Sequence, residues 1–570
     1  MTPANGDPLD VLVVGAGPTG LTLAAQLQAF GASVRIVDRQ LDRVHESRAL
    51  AVQPRTLEVL RGLGVAEELV ARGNDAVWVQ LHTGGRVVRI RLFGLGLDDT
   101  AYPFLLFVSQ AETEQILGDH LASGGIQVER GAELAAFQAQ DDGVTCSLRH
   151  RDGPTEEVRA RYLVGCDGAA STVRRGAGIA FQGGAYPQTF ALADLEADGL
   201  DRDAAHAFLG QEGILLFFPL GRPASWRTLA MHPTIQGRRE PAQPSLEELQ
   251  ALADAMTDGG VRLRDPVWRT YFGLQHRHAT RYRDGRLFLA GDAAHVHSPA
   301  GAQGMNTGIQ DAWNLGWKIA LVSRGIAEEA LLDTYDTERR PVGGFVIRFT
   351  DRAFSAATST NPLLRLLRTE VVPRVLPLGL RFDRAVAYGF RTVSQLNIDY
   401  RHSPAVQEGR PALRRGPRAG DRLPDARVAR DGQECWLGEA LVGPGFHLLL
   451  CGPPGDWHPS QLTTLRHRYP DTLAVHHLTR AATPGALHDV GGQVFVRLGI
   501  DGTGQYLIRP DGHIGYRCGG DDLAGLQRYL ARWLPNTTSR ASDQVNAPRR
   551  SHQSKASPQQ ATSRRSHHLP

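Results

Sequence analysis

Three stretches far apart in the chain hold residues whose type and spacing could do chemistry. The first is Gly15-Ala16-Gly17-Pro18-Thr19-Gly20. It follows the apolar run Asp10–Val14 and opens a helix-forming stretch that ends near Phe30, with Gly31 at the expected stop. In such a strand–turn–helix, Gly15 permits the tight turn, Gly17 lets backbone approach a pyrophosphate, and Gly20 lets the helix pack on the strand. An anion there, next to Pro18, would meet the free N–H groups and positive end of the helix dipole. A second strand, Ser33–Asp38, ends in an acid 18 residues after Gly20, placed to accept from ribose hydroxyls. The pattern predicts a bound dinucleotide. It does not separate FAD from NAD, and Arg39 beside Asp38 also permits NADP.

The second stretch runs Arg161-Tyr-Leu-Val-Gly-Cys166-Asp167-Gly168-Ala-Ala-Ser171. An apolar strand ends in Asp-Gly, and Ser171 caps a helix. Taken alone, an ordinary strand-to-helix turn reads equally well. The third is Arg286-Leu-Phe-Leu-Ala-Gly291-Asp292-Ala-Ala-His295, continuing through Pro299-Ala-Gly301-Ala-Gln-Gly304-Met305-Asn306. A buried strand again ends in an acid, here Asp292, suited to accept from ligand hydroxyls. The small residues that follow let the loop pass close to a flat ligand. A helix from about Met305 would present its N-terminus to negative charge on that ligand.

These motifs need a scaffold. Residues 10–38 read as strand, helix, strand, and Thr56–Leu63 and Ala111–Ser123 as helices. Residues 76–92 and 133–164 alternate apolar and polar in short segments separated by turns, so β-ribbons are expected. The stretch 181–285 reads as mostly strand with a helix around Leu246–Met256. Gly285–Ala290 returns to an apolar strand, and helices follow to about 400. Gly409–Pro424, rich in Gly, Pro and Arg, marks a linker. Beyond it come strands at Phe446–Cys451, Val494–Arg497, Tyr506–Arg509 and His513–Tyr516, then a helix over 521–534. From Asn536 the chain is Ser, Gln, Arg and Pro with little to bury, so disorder is expected. The expected division is 1–180 and 286–408 as two parts of a cofactor-binding domain and 181–285 as a substrate-binding sheet. A linker over 409–424, a C-terminal α/β domain over 425–535 and a basic tail over 536–570 complete it.

Composition bounds the partners. The 570 residues have 42% hydrophobic and 22% charged content, an ordinary globular balance. The net charge of +3 misleads. The tail holds six basic residues and one acid, Asp543, so residues 1–535 carry −2. A body so close to neutral argues against nucleic acid as the main partner. Lys318 and Lys555 are the only lysines, which nearly excludes Schiff-base chemistry. Five scattered cysteines suit a reducing, cytoplasmic setting and offer no zinc-ligand pairs. His295 and His297 lack a third ligand for a metal. No apolar run reaches the 18 residues of a membrane span, so no membrane role is expected.

In this order and at this spacing, the three motifs resemble the single-component FAD-dependent aromatic hydroxylases, the flavoprotein monooxygenases of the para-hydroxybenzoate hydroxylase type. The resemblance covers about residues 8–400. Arg48, in Ser47-Arg48-Ala-Leu, matches the family's FAD-contacting arginine, and Gln110 its ribityl-contacting glutamine. The resemblance further implies that Asp292 meets the FAD ribityl or pyrophosphate. Pro299 would line the flavin ring, and the Met305 and Asn306 backbone would face its pyrimidine edge. Asp167 falls in a segment the family associates with FAD and NAD(P)H. Asp38 departs from the usual Glu. The C-terminal part looks like the thioredoxin-like domain of phenol and polyketide hydroxylases. Its Cys451-Gly452-Pro453-Pro454 resembles a thioredoxin motif without the second cysteine, which leaves packing or a dimer contact as its role.

The implied fold is therefore α/β: a Rossmann-type FAD-binding domain with an inserted mostly-β substrate domain, a helical region and the C-terminal domain. The implied activity is a monooxygenase in which NADPH or NADH reduces FAD and O2 forms a flavin C4a-hydroperoxide. That species passes oxygen to a phenolic or polyketide-like ring. A Baeyer–Villiger oxygenase on the same fold and a non-catalytic flavin-binding module are the alternatives. Tyr271, His232, His276 and His278 are candidate bases, none of them singled out as catalytic. Phe217-Phe218-Pro219 and Trp226 suit a pocket wall, with core packing the favoured reading.

Overall fold

The computed structural model describes residues 8–42, 49–75, 78–83, 85–91, 96–210, 213–221, 224–232, 243–298, 301–358 and 383–535, with 361, 367, 371 and 374 besides. Arg48, Pro299 and the tail from 536 lie outside the described residues. Three sheets organise the rest.

The first sheet runs in the order Arg283–Asp284, Leu287–Leu289, Thr155–Gly165, Leu9–Val14, Val34–Asp38, Glu129–Arg130. A hairpin, Ala132–Gln140 and Gly143–His150, extends from Thr155–Gly165. The central pairings are parallel. Leu9–Val14 is buried at nearly every position because helices Pro18–Ala29, Gln110–Ser123 and Gly304–Ser323 share its core. That two-sided burial is why this strand reads as a continuous apolar run. The register sets Val14 beside Gly165, and Gly165 beside Leu289. Each of these three residues is the last of its strand, and each is followed by one of the three motifs.

The second sheet orders its strands His295–Val296, Arg262–Ala279, Phe181–Asp198, Trp226–His232, Ile214–Pro219, Ala204–Leu209, Trp78–Thr83, Arg86–Arg91. The sheet expected over 181–285 thus recruits 78–91 and 295–296. Trp78–Thr83 joins it parallel to Ala204–Leu209, a pairing across more than a hundred residues that no local pattern announces.

The third sheet is mixed, with Phe446–Cys451 parallel to Leu473–Thr479 and antiparallel to Gly504–Ile508. Cys451 is fully buried at a strand end, where burial holds its thiol protonated. The strand expected at Val494–Arg497 is instead part of a helix, Gln493–Leu498. Gly491 and Gly492 turn the chain at positive φ, and the Asp489 carboxylate accepts from the Val494 and Phe495 amides. This capping decides a short apolar run that fits either state.

The stretch Gly409–Pro424 is held firmly rather than slack. Arg422 is buried and paired with Glu58 and Asp99, and the Gly420 amide donates to Ile514. Arg55 donates to the Asp511 carbonyl and Arg61 to Asp425, and Trp317 meets Phe446 edge to face. The third sheet therefore packs directly on helices Pro54–Arg61 and Gly304–Ser323.

Candidate active site

The first and second motifs meet because their strands are neighbours. Gly15 has φ +102°, and a Cβ there would lie 2.3 Å from the Cys166 carbonyl oxygen. A Cβ on Gly20 would lie 1.9 Å from the Gly15 oxygen. These two glycines are demanded by the protein's own packing. Gly17 differs: a Cβ there would meet nothing within 4 Å. Its small size leaves a cradle beside an uncapped helix start that carries no acid. The third motif joins through Gly291, whose Cβ position lies 2.5 Å from Thr19 Oγ1. Arg174 also donates to the Ala293 carbonyl at 2.9 Å and to Ala169 at 2.7 Å.

A crevice of about 180 Å³ opens at these strand ends, lined by Gly15, Gly17, Asp38, Arg39, Asp167 and Thr172 among others. Asp38 accepts from the Ala16 amide through one carboxylate oxygen (2.7 Å) and the Gln40 amide through the other (2.8 Å). Each oxygen keeps a second lone pair. Asp167 Oδ2 accepts from the Thr172 amide at 2.6 Å, while its Oδ1 is buried with no partner among the described residues. Burial raises the Asp167 pKa against its backbone donors. Arg39 is exposed at the rim and also lines a second cavity with Arg149, His150 and Arg151.

Asp292 sits exposed on the turn Gly291–Ala293. The helix Gly304–Ser323 starts without a side-chain cap and without an acid in its first turn. Its opening residues, Gly304, Met305 and Asn306, have no intrahelical acceptor for their N–H groups. The buried Asn306 side chain fixes the approach: it accepts from the Gln53 amide and donates to the Ala51 and Ala302 carbonyls, each at 2.8 Å. Gln53 in turn donates to the Gly301 carbonyl at 2.9 Å. Gln110 starts its helix with its amide on the Ala49 carbonyl. The Gly17 cradle and two uncapped helix starts fit the phosphates of a dinucleotide, and the orphaned Asp167 oxygen fits a hydrogen-bond donor on it.

The second sheet presents two faces. Phe217, Trp226, Ala191 and Tyr271 pack under helix Leu246–Thr257, so Phe217 and Trp226 are core and Tyr271 points the same way. The opposite face carries registered cross-strand rows: Phe218–Arg227–Asp194–Trp268, Leu216–Leu229–Leu192, and Met231–Phe190–Phe272. Phe218 meets Phe107 and clusters with Ala302, so this face abuts the loop of the third motif. Arg227 and Asp194 form a fully buried ion pair at 2.6 Å, braced by the Trp268 indole N–H. His276 rests against Tyr186. His278 is tied to the Tyr282 hydroxyl, and burial brings its pKa down to about 4. The His232 side chain lies outside the described residues.

Reading the sequence missed Asp311 and Arg339. The buried Asp311 carboxylate accepts from the Gly291 amide (3.1 Å), His295 (2.6 Å) and Arg339 (2.7 Å). Arg339 and His295 outweigh burial and keep its pKa below the usual value. The one signal available was an acid inside a helix whose neighbours, Ile309 and Ala312, are apolar.

Residues 8–350 match the family described as FAD binding domain, and residues 416–536 match aromatic-ring hydroxylase, C-terminal. The chain belongs to the FAD-dependent aromatic hydroxylases. This hydroxylase is 38% identical over 564 residues to 6-methylpretetramide 4-monooxygenase of Streptomyces rimosus, covering 96% of this chain and 98% of the relative. It is 33% identical over 430 residues to pentachlorophenol 4-monooxygenase of Sphingobium chlorophenolicum, covering 74% and 76%. Among solved structures, an aromatic hydroxylase from angucycline biosynthesis superposes with a TM-score of 0.73 at 30% identity, covering 93% of this chain and 99% of that one. Aklavinone-11 hydroxylase, solved with FAD and aklavinone, gives 0.73 at 27%, covering 94% and 100%. The hydroxylase is an FAD-dependent monooxygenase with NAD(P)H as reductant. Among the described residues no helix is long and apolar enough to cross a membrane, and no cluster of three or more metal-ligating side chains occurs.

Proposed function

We propose that this hydroxylase acts on a polycyclic, polyketide-like phenol seated between the apolar face of the second sheet and the crevice at the strand ends. The observation that carries the reading is the register Val14–Gly165–Leu289, which brings three motifs to one edge. In an open α/β sheet that edge is where a dinucleotide binds. FAD, when bound and reduced by NAD(P)H, supplies the O2 activation and oxygen transfer.

The chain's residues bind, orient and exclude water. Gly17 and the helix start at Pro18 take the pyrophosphate, and Asp38 accepts from ribose hydroxyls, with Arg39 at the rim. Gln110, Asp292 and the orphaned Asp167 oxygen would contact the same cofactor further along. Gly301 and Gly304 would border the flavin ring, and the amides of Met305 and Asn306 would favour negative charge at its pyrimidine edge. Leu216, Phe218, Met231 and Phe272, half-buried on that face, give the opposite wall its apolar and aromatic character, over Phe190, Leu192 and Leu229 packed with Phe354. That wall suits a fused-ring substrate and keeps water from the oxygen-transfer step. The relative that acts on 6-methylpretetramide and the neighbour solved with aklavinone support a substrate of that size.

The test is an oxidation screen. The purified protein is supplied with FAD and NADPH or NADH and offered simple phenols, resorcinols, anthraquinones and larger polyketide aromatics, with product masses measured. A polycyclic phenol that gains one oxygen as a ring hydroxyl supports the reading. Turnover confined to single-ring phenols overturns the substrate class. Oxygen inserted between two carbons gives the Baeyer–Villiger outcome. Asp292→Ala is expected to weaken FAD retention, and unchanged flavin content would remove it from the site.

A further inference from the structure

We infer that Arg509, in the turn that follows the third-sheet strand Gly504–Ile508, is a positioning residue for the cofactor-binding turn at Gly291-Asp292. The inference rests on the reading of that turn as part of the FAD site. Arg509 is fully buried and grips Glu338 with both terminal nitrogens, at 2.7 and 2.8 Å. Glu338 lies on the helix Ala330–Thr358 and also accepts from Lys318, Asn314 and Ser403. Burial alone would raise the Glu338 pKa; Arg509 and Lys318 outweigh it and hold the carboxylate ionised. Its position is therefore set jointly by helix Gly304–Ser323 and by Arg509 of the C-terminal part.

The next residue on that helix is Arg339. Its Nε donates to Asp311 at 2.7 Å and one terminal nitrogen to the Thr307 carbonyl at 3.1 Å, in the first turn of helix Gly304–Ser323. Asp311 passes the constraint to the Gly291 amide. A second route runs in parallel. The Arg339 guanidinium donates to the Tyr400 hydroxyl at 3.0 Å, and the Tyr400 ring lies 4.1 Å from His513 and 5.4 Å from the Arg509 guanidinium. Two adjacent residues, Glu338 and Arg339, thus tie the third sheet to the turn that carries Asp292. Every charged group in the path is buried, so a charge that loses its partner cannot turn to solvent, and the path moves as a unit.

The test uses full-length variants. Arg509→Gln and Glu338→Gln are compared with Arg517→Gln, a control that removes a buried arginine from its pair with the exposed Glu408 inside the third sheet. Two readouts are taken: hydrogen exchange at the Gly291 amide without added cofactor, and the FAD dissociation constant. Arg509→Gln and Glu338→Gln should each speed exchange at Gly291 and raise the dissociation constant on the order of tenfold, as expected for coupling between linked sites. Arg517→Gln should lower thermal stability and move neither readout. A folded Arg509→Gln with unchanged exchange at Gly291 overturns the inference, and so does an equal response from Arg517→Gln. If Arg509→Gln fails to fold, Glu338→Gln decides. A wild-type protein that binds no FAD would refute the cofactor reading, and the exchange arm would still judge the relay.

Discussion

Arg227 reaches from the second sheet to the Ala49 carbonyl, 3.0 Å away. The same oxygen accepts from the Gln110 amide at 3.2 Å, so one carbonyl joins the second sheet to the start of helix Gln110–Ser123. Arg227→Leu should destabilise the protein by about 3–5 kcal/mol, because it strands the Asp194 charge in the core. Urea denaturation measures this. Replacing both Arg227 and Asp194 with leucine should recover part of the loss, and bound flavin should fall in the single variant.

The glycines of the first motif should separate cleanly. Gly17 has φ −75° and open space where a Cβ would go. Gly17→Ala should leave the apoprotein within about 0.5 kcal/mol of wild type and weaken FAD binding roughly tenfold or more, by crowding the pyrophosphate. Gly20→Ala forces a clash with the Gly15 oxygen and should cost about 1–3 kcal/mol without ligand. Thermal melts with and without FAD distinguish the two.

Asp167 is a carboxylate whose pKa is raised in the folded state. The sign follows from linkage: stability it contributes is present below the unfolded pKa and lost as pH rises through the raised value. Asp167→Asn should therefore stabilise the apoprotein at pH 7 relative to wild type and flatten that part of the pH profile. It should weaken FAD binding in the same samples, since the orphaned Oδ1 is offered to the ligand. A variant less stable at every pH would contradict this.

His278 and His297 are both brought down to about 4 by burial. In the unfolded chain each takes a proton near 6.5. Between those values the unfolded state binds more protons, so stability should fall as pH drops from about 6.5 to 4. His278→Gln should reduce the slope in a denaturation series across that window.

Much of the cofactor edge was legible because it is local. Gly15, Gly17 and Gly20 sit in one turn, and Asp38 follows at a fixed distance through a helix and strand whose periods are plain. The apolar runs before Asp167 and Asp292 announce buried parallel strands for the same reason. The helix at Gln493–Leu498 was missed because its apolar residues fit either state and Asp489, four residues upstream, decided the matter. The split of Phe217 from Phe218 was equally hidden. Alternation predicts opposite faces, but only pairing tells which face meets helix Leu246–Thr257.

By itself the sequence determined the strand–turn–helix units and the residue types each would offer a dinucleotide. The tertiary structure decided that three such units end side by side, that Trp78–Thr83 and Arg86–Arg91 join the second sheet, and that Arg227, Asp311, Arg339 and Arg509 find their buried partners. The reason is physical. A glycine turn is specified by neighbours a few residues away, whereas a buried charge is specified by its partner, and Arg509 finds Glu338 from 171 residues away.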